Sequence, residues 1–200
     1  MFSQPHSISF MLPAWVNDFS QSYQATTDLN QRMKFVISAA RKNIEEDTGG
    51  PFAAAIFEID TGNLVSLGIN LVAKQKLSIL HAEMVAITVA QTKLKTYDLG
   101  DASLPGHELI SSTEPCAMCF GAIPWSGVVR VITAAKGEDA QSIGFDEGPK
   151  PDNWIKSLTD RGVQVIDNIE RDSARAVLKL YQESSGHIYN SRENQVTKSH

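Results

Sequence analysis

His81-Ala82-Glu83 and, thirty-odd residues further on, Glu114-Pro115-Cys116-Ala117-Met118-Cys119 are the stretches on which the fold turns. Each reads as the opening of a helix. Cys116 and Cys119 stand at i and i+3, a spacing that puts both sulfurs on one side of a helix, one turn apart. Pro115 suits a first turn, where its missing N–H costs nothing. The partial positive charge at a helix N-terminus draws a thiol toward the thiolate that a metal needs. With His81 approaching from a second helix, three protein ligands are in place: His81, Cys116 and Cys119. A structural zinc site normally uses four, so three leave one tetrahedral position for water.

Glu83 lies too close to His81 in sequence to share the ion easily, but it can reach whatever occupies the fourth position. A zinc ion held by three neutral histidines brings its water to a pKa of about 7. Here two thiolates cancel the ion's double charge, so the drop is smaller and a base has to help. Glu83 is the candidate to take the water proton and pass it to a substrate. Read singly, the motifs are weak: a lone Cys-x-x-Cys is as often a redox pair, and a lone His-Ala-Glu is chance. Their joint occurrence at two helix starts carries the zinc reading.

The flanking sequence supplies the frame. A helix is predicted over residues 29–44, with Asp28 and Gln31 as a capping box and Gly49-Gly50-Pro51 as its stop. Strands follow at 52–59 and 64–69, a hairpin around Thr61-Gly62-Asn63. Next come a helix over 81–95, a strand at 108–112, a helix over 116–125 and a strand at 128–134. Residues 137–152, rich in Gly, Asp and Pro, read as a long functional loop with one helical turn. A short helix (153–160), a strand (162–166) and a longer helix (171–181) complete the chain. The expected fold class is α/β: a three-layer α/β/α sandwich around a mixed, about five-stranded sheet, as one domain over 1–200. Residues 1–27 form an N-terminal arm and 184–200 a polar C-terminal tail. His6, His107 and His200 fit no pattern and are expected at the surface.

Composition narrows the partners. The chain is 42% hydrophobic and 20% charged, the balance of a globular protein. No apolar run nears the roughly 20 residues of a membrane helix, and residues 1–15 do not resemble a secretory leader. A cytoplasmic location follows, which suits two cysteines kept as thiols. The net charge is −5, with 23 acidic against 18 basic residues and no basic cluster. That disfavours nucleic acid, whose binding relies on Lys and Arg neutralising phosphates. A small, weakly charged substrate fits better.

At this point the chain resembles the cytidine/deoxycytidylate deaminase superfamily, whose general signature is His-x-Glu with Pro-Cys-x-x-Cys. The likeness runs over residues 49–146 and is specific at Gly50-Pro51-Phe52, His81-Ala82-Glu83 and Glu114 through Ile123. It implies a five-stranded sheet between helices, bound Zn²⁺, a usual homodimer, and hydrolytic release of an amino group as ammonia. Two branches look similar, guanine deaminases and tRNA adenosine deaminases. Gly144-Phe145-Asp146-Glu147 is similar to the guanine branch's Gly-Phe-Asp-Asp, which makes Glu147 a second acid at the base. Asn70 matches the asparagine that reads the purine edge. The tRNA branch has Pro-Thr-Ala before its His-Ala-Glu, whereas this chain has Ser78-Ile79-Leu80. Ala53 stands where the family usually has glycine.

The resemblance therefore implies deamination of a free nucleobase, guanine to xanthine, with aminotriazines as related substrates. Phe52 and Trp125 are expected to flank the flat base, and Tyr189 in the tail to close over it. Core packing for the two aromatics, and a solvated loop for Glu147, stay open as alternatives. Two rival functions also stay open: tRNA adenosine deamination, and a zinc or thiol module without hydrolytic activity.

Overall fold

A computed structural model describes residues 3–191. Helix α1 (Trp15–Gln21) precedes α2 (Leu29–Glu45), then β1 (Ala53–Glu58), β2 (Leu64–Ile69), α3 (Val72–Gln75), α4 (Ala82–Leu94) and β3 (His107–Thr113). After these come α5 (Ala117–Ser126), β4 (Arg130–Ala135), α6 (Gly137–Ser142), α7 (Trp154–Thr159), β5 (Gln164–Ile166) and α8 (Arg171–Glu183). The strands form one sheet in the order β2-β1-β3-β4-β5. β1 is antiparallel to both β2 and β3, while β3, β4 and β5 run parallel, so the sheet is mixed, as expected.

Strand alternation builds the three layers. Ala53, Ala55 and Phe57 of β1 pack with Val36 and Ala40 of α2 and Val177 of α8. Ala54 and Ile56 face the other way, onto Ala86 and Ala90 of α4, Ile123 of α5 and Leu158 of α7. Because both faces are covered, β1 and β3 read as nearly continuous buried runs.

One contact fixes where α4 begins. Gly68 of β2 lies against its first turn, and a Cβ there would stand 2.2 Å from the Ala82 carbonyl oxygen. Any side chain at 68 would push the His81 end of α4 off the sheet.

Several expectations need correcting. The arm over 1–27 packs on the body, as expected of it, with Val16 buried and Phe19 stacked on Phe35 of α2 at 4.9 Å, but it does so through a helix, α1, that the sequence did not announce. Seven residues with one buried position and no side-chain cap give almost no periodic signal. Asp28 does cap α2, accepting from the Asn30 N–H at 2.9 Å. Gln31, however, bonds the Asp28 carboxylate instead of the cap backbone, so the box is not reciprocal. His107 is 1% exposed, not a surface residue: the loop at 99–106 folds over the start of β3, and Nδ1 sits 2.8 Å from the Leu99 carbonyl oxygen. His200 and residues 192–199 lie outside the described residues.

Candidate active site

The C-terminal end of β3 and the N-termini of α4 and α5 converge on one corner. His81 is the N-cap residue of α4, with extended backbone (φ −66°, ψ 156°), and Cys116 is the N-cap of α5 (φ −66°, ψ 174°). Pro115 thus stands one residue outside the helix rather than in its first turn. Cys119 follows one turn in. The three ligand atoms lie within 4.8 Å of one another, with the Cys116 sulfur 3.4 Å from His81 Nδ1. Donors about 2.0–2.3 Å from a tetrahedral zinc stand roughly 3.5–3.8 Å apart, so this set fits the ion in chemistry and spacing.

Glu83, in the first turn of α4, turns its carboxyl into the same corner. The Cys119 thiol donates to Oε2 at 3.3 Å, and the Ser111 hydroxyl of β3 donates to Oε1 at 3.3 Å. Burial, then the Cys116 thiolate, raises the Glu83 pKa above the usual carboxylate range. Cys116 is lowered to about 4, first by the hydrogen bond from Cys119 and, against the cost of burial, by His81. Cys119 is raised well above the ordinary thiol value by that same bond and by burial. Burial opposes the His81 cation, but the hydrogen bond and charge of Cys116 outweigh it, so His81 is raised. One thiolate and one proton are shared across the cysteine pair. A divalent cation would replace that proton and draw both sulfurs to the thiolate.

A cavity of about 400 Å³ opens from this corner. Phe52, Asn70, His81, Glu83, Cys116, Glu147 and Tyr189 all line it. Cys119 lies behind them, fully buried. Asn70 is held hard: its N–H donates to the Phe52 carbonyl at 3.0 Å, and its own carbonyl accepts from Asn43 Nδ2 at 3.0 Å. Its Oδ1 accepts from the Val72 N–H at 3.2 Å. Glu147 is 8% exposed, and its pKa is pushed up to about 8 by burial and by the Cys116 charge. Among the described residues, Glu147 Oε2 and Tyr189 Oη are buried without a hydrogen-bond partner. Burial raises the Tyr189 phenol well above its usual value.

Trp125 corrects the expectation placed on it. It is 82% exposed and does not line the cavity. It sits nine residues beyond Cys116 and six beyond Cys119 along α5, and at 1.5 Å rise per residue the helix carries it about 9–13 Å along its axis from the two cysteines.

Phe145 takes the place foreseen for a second aromatic. Its ring meets Phe52 edge-on at 4.9 Å and Tyr189 at 5.0 Å. Its signal in the sequence is the Gly144-Phe145-Asp146-Glu147 stretch, which carries it two residues before the acid. Ser111 also reaches the site, through Glu83, and Met118 and Asn190 line the cavity. A serine on a strand and an asparagine in a polar tail carry no pattern until the fold brings them to the site.

With this geometry in place, the comparisons decide the family. A family model described as the cytidine and deoxycytidylate deaminase zinc-binding region matches residues 26–135, just over half of the chain. The chain belongs to this deaminase family. The likeness extends in both directions beyond the motifs. A solved guanine deaminase from Nitrosomonas europaea is 41% identical, with a TM-score of 0.86 over 91% of this chain and 100% of its own. The guanine deaminase of Bacillus subtilis (strain 168) is 36% identical over 58% of this chain and 69% of its own length. A tRNA-specific adenosine deaminase of the same organism is 35% identical, over 52% and 59% respectively. A structure of a tRNA:A34 deaminase, 21% identical with a TM-score of 0.57, covers 72% of this chain and 96% of its own and shares the fold. The deaminase family uses Zn²⁺, and His81, Cys116 and Cys119 are the described group of His, Cys, Asp and Glu residues placed to hold it.

Proposed function

We propose that the chain deaminates guanine to xanthine, with related aminated heterocycles such as aminotriazines as further substrates. The observation that carries this reading is a pair of buried carboxyls, Glu83 and Glu147, facing one cavity that Phe52, Phe145 and Tyr189 also line, beside the metal ligands. A guanine deaminase that matches nearly the whole chain supports it. So does the protein NE0047, solved with 2,6-diaminopurine and 44% identical over 92% of this chain.

In this reading His81, Cys116 and Cys119 hold Zn²⁺, which when bound supplies electrostatic activation of a water. Glu83 takes a proton from the attacking water and delivers it to a ring nitrogen. A C2–O bond forms; Glu83 then takes the remaining proton from the C2 hydroxyl as it becomes the carbonyl and passes it, directly or by way of Glu147, to the exocyclic amine, so that the C2–N bond breaks and ammonia leaves. Guanine and water thus give xanthine and ammonia. Phe52, Phe145 and Tyr189 supply the aromatic wall against which the base packs, with Tyr189 seated against Gly50. With its oxygen engaged by Val72, Asn70 offers its amide N–H to an acceptor on the purine edge. A base lacking that acceptor leaves a buried donor unpaired, a loss worth about 10⁴ in discrimination.

We further read the protein as a cytoplasmic homodimer. Met118, Gly121 and Trp125 recur at i, i+3 and i+7 on α5 and are all exposed, an apolar stripe suited to a second copy. Trp125→Asp should shift the protein to monomer in sedimentation; an unchanged oligomer would place the interface elsewhere. Among the described residues no helix is long and apolar enough to cross a membrane.

A panel of guanine, adenine, cytidine, guanosine, an aminotriazine and adenosine-34 tRNA tests the substrate. Ammonia from guanine foremost is the expected outcome. Release from the tRNA alone, with binding that weakens steeply in salt, would contradict it.

A further inference from the structure

The loop that carries Glu147 is fastened from two directions. On one side the Ala117 N–H, at the start of α5, donates to the Glu147 carbonyl at 2.9 Å. On the other, a single side chain from the C-terminal segment makes both bonds. Asn190 Nδ2 donates to the Gly144 carbonyl at 2.8 Å, and Asn190 Oδ1 accepts the Asp146 N–H at 2.9 Å.

This matters because the Glu147 side chain has little else to orient it. Its Oε2 is buried with no partner among the described residues, so the main chain on either side decides where the carboxyl points. The loop has glycines at both ends of this span, with φ +109° at Gly144 and +67° at Gly148, so it is intrinsically permissive. Two backbone anchors in so short a span, one on each side of the acid's Cα, remove that freedom. The Asn190 segment is itself held in place. Tyr189 packs on Phe145 and against Gly50, where a Cβ would stand 2.5 Å from the Tyr189 hydroxyl. Tyr181 Oη donates to the His187 carbonyl at 2.7 Å.

We infer that Asn190 is a positioning residue for Glu147: its amide clamps Gly144 and Asp146 and so aims a carboxyl that lies more than forty residues away in sequence. The inference rests on the proposed role of Glu147 at the substrate. A group displaced by about 1 Å can cost up to a hundredfold in rate.

The test is a double-mutant cycle on guanine, with amide exchange read in parallel. Asn190→Ala should lower kcat about tenfold, with KM changed much less, at unchanged zinc content. In a Glu147→Gln background the same substitution should cost less than about twofold, because the group it aims is already gone. The Asp146 amide should lose protection from hydrogen exchange in Asn190→Ala. An equal loss of rate in both backgrounds, or unchanged exchange at Asp146, overturns the inference. If the parent protein releases no xanthine at all, the functional reading fails instead, and the exchange result alone decides whether the clamp exists.

Discussion

The metal corner and the aromatic rim face each other across one cavity, but they are built differently. His81 and Cys116 cap two helices laid directly on the sheet, and Glu83 and Cys119 sit in the first turns behind them. Gly68 lets α4 approach the strand so closely that the corner has no room to relax. The rim is assembled from a turn after α2, a strand end, the loop after α6 and the segment after α8, which contribute Phe52, Asn70, Glu147 and Tyr189. Secondary structure holds the corner, whereas long-range side-chain contacts hold the rim. The metal ligands of the corner should therefore answer substitution all or none, and the rim and the groups that only support the corner by degrees.

The largest effect belongs to the corner. Cys119→Ser removes a buried soft ligand, and metal analysis should find zinc well below one per chain with activity lost. Retained zinc with full activity would mean that Cys119 is not a ligand. On the rim, Glu147→Gln should keep its zinc and lower kcat about ten- to a hundredfold. The same variant should show the cost of the acid. A carboxyl whose folded pKa is raised to about 8 contributes stability fully present below its ordinary value near 4.5, and that contribution is lost as pH rises through 8. Glu147→Gln should therefore melt higher than the parent, by a margin that widens from pH 5 to pH 8. A margin independent of pH would show that Glu147 is not held protonated. The smallest effect is expected at Ser111, which donates to Glu83 Oε1. Ser111→Ala should slow turnover about three- to tenfold, and Ser111→Thr, which keeps the hydroxyl, should restore most of it.

The same division explains what could be read from the chain alone. The corner was legible because its chemistry lies in two contiguous motifs, each tied to a helix start. The five strands were legible from runs such as 53–58 and 130–135, buried on both faces. Asn70 and Glu147 could be placed only through a family resemblance, since neither belongs to a local pattern. Trp125 lies near the cysteines in sequence, but the rise of α5 takes it away from the cavity in space. Phe145 and Asn190 depend on the packing of chain ends that only the tertiary fold brings together. Helix α1 is too short to announce itself, and His107 is buried by a loop with no periodicity of its own.

The proton-carrying role of Glu83 is tested most directly by comparing the parent protein with Glu83→Gln, both loaded with zinc and incubated with guanine. The parent should release xanthine and ammonia in equal amounts. Glu83→Gln, with one zinc per chain and an unchanged fold, should fall by about 10³-fold or more. Comparable release from Glu83→Gln would contradict the account.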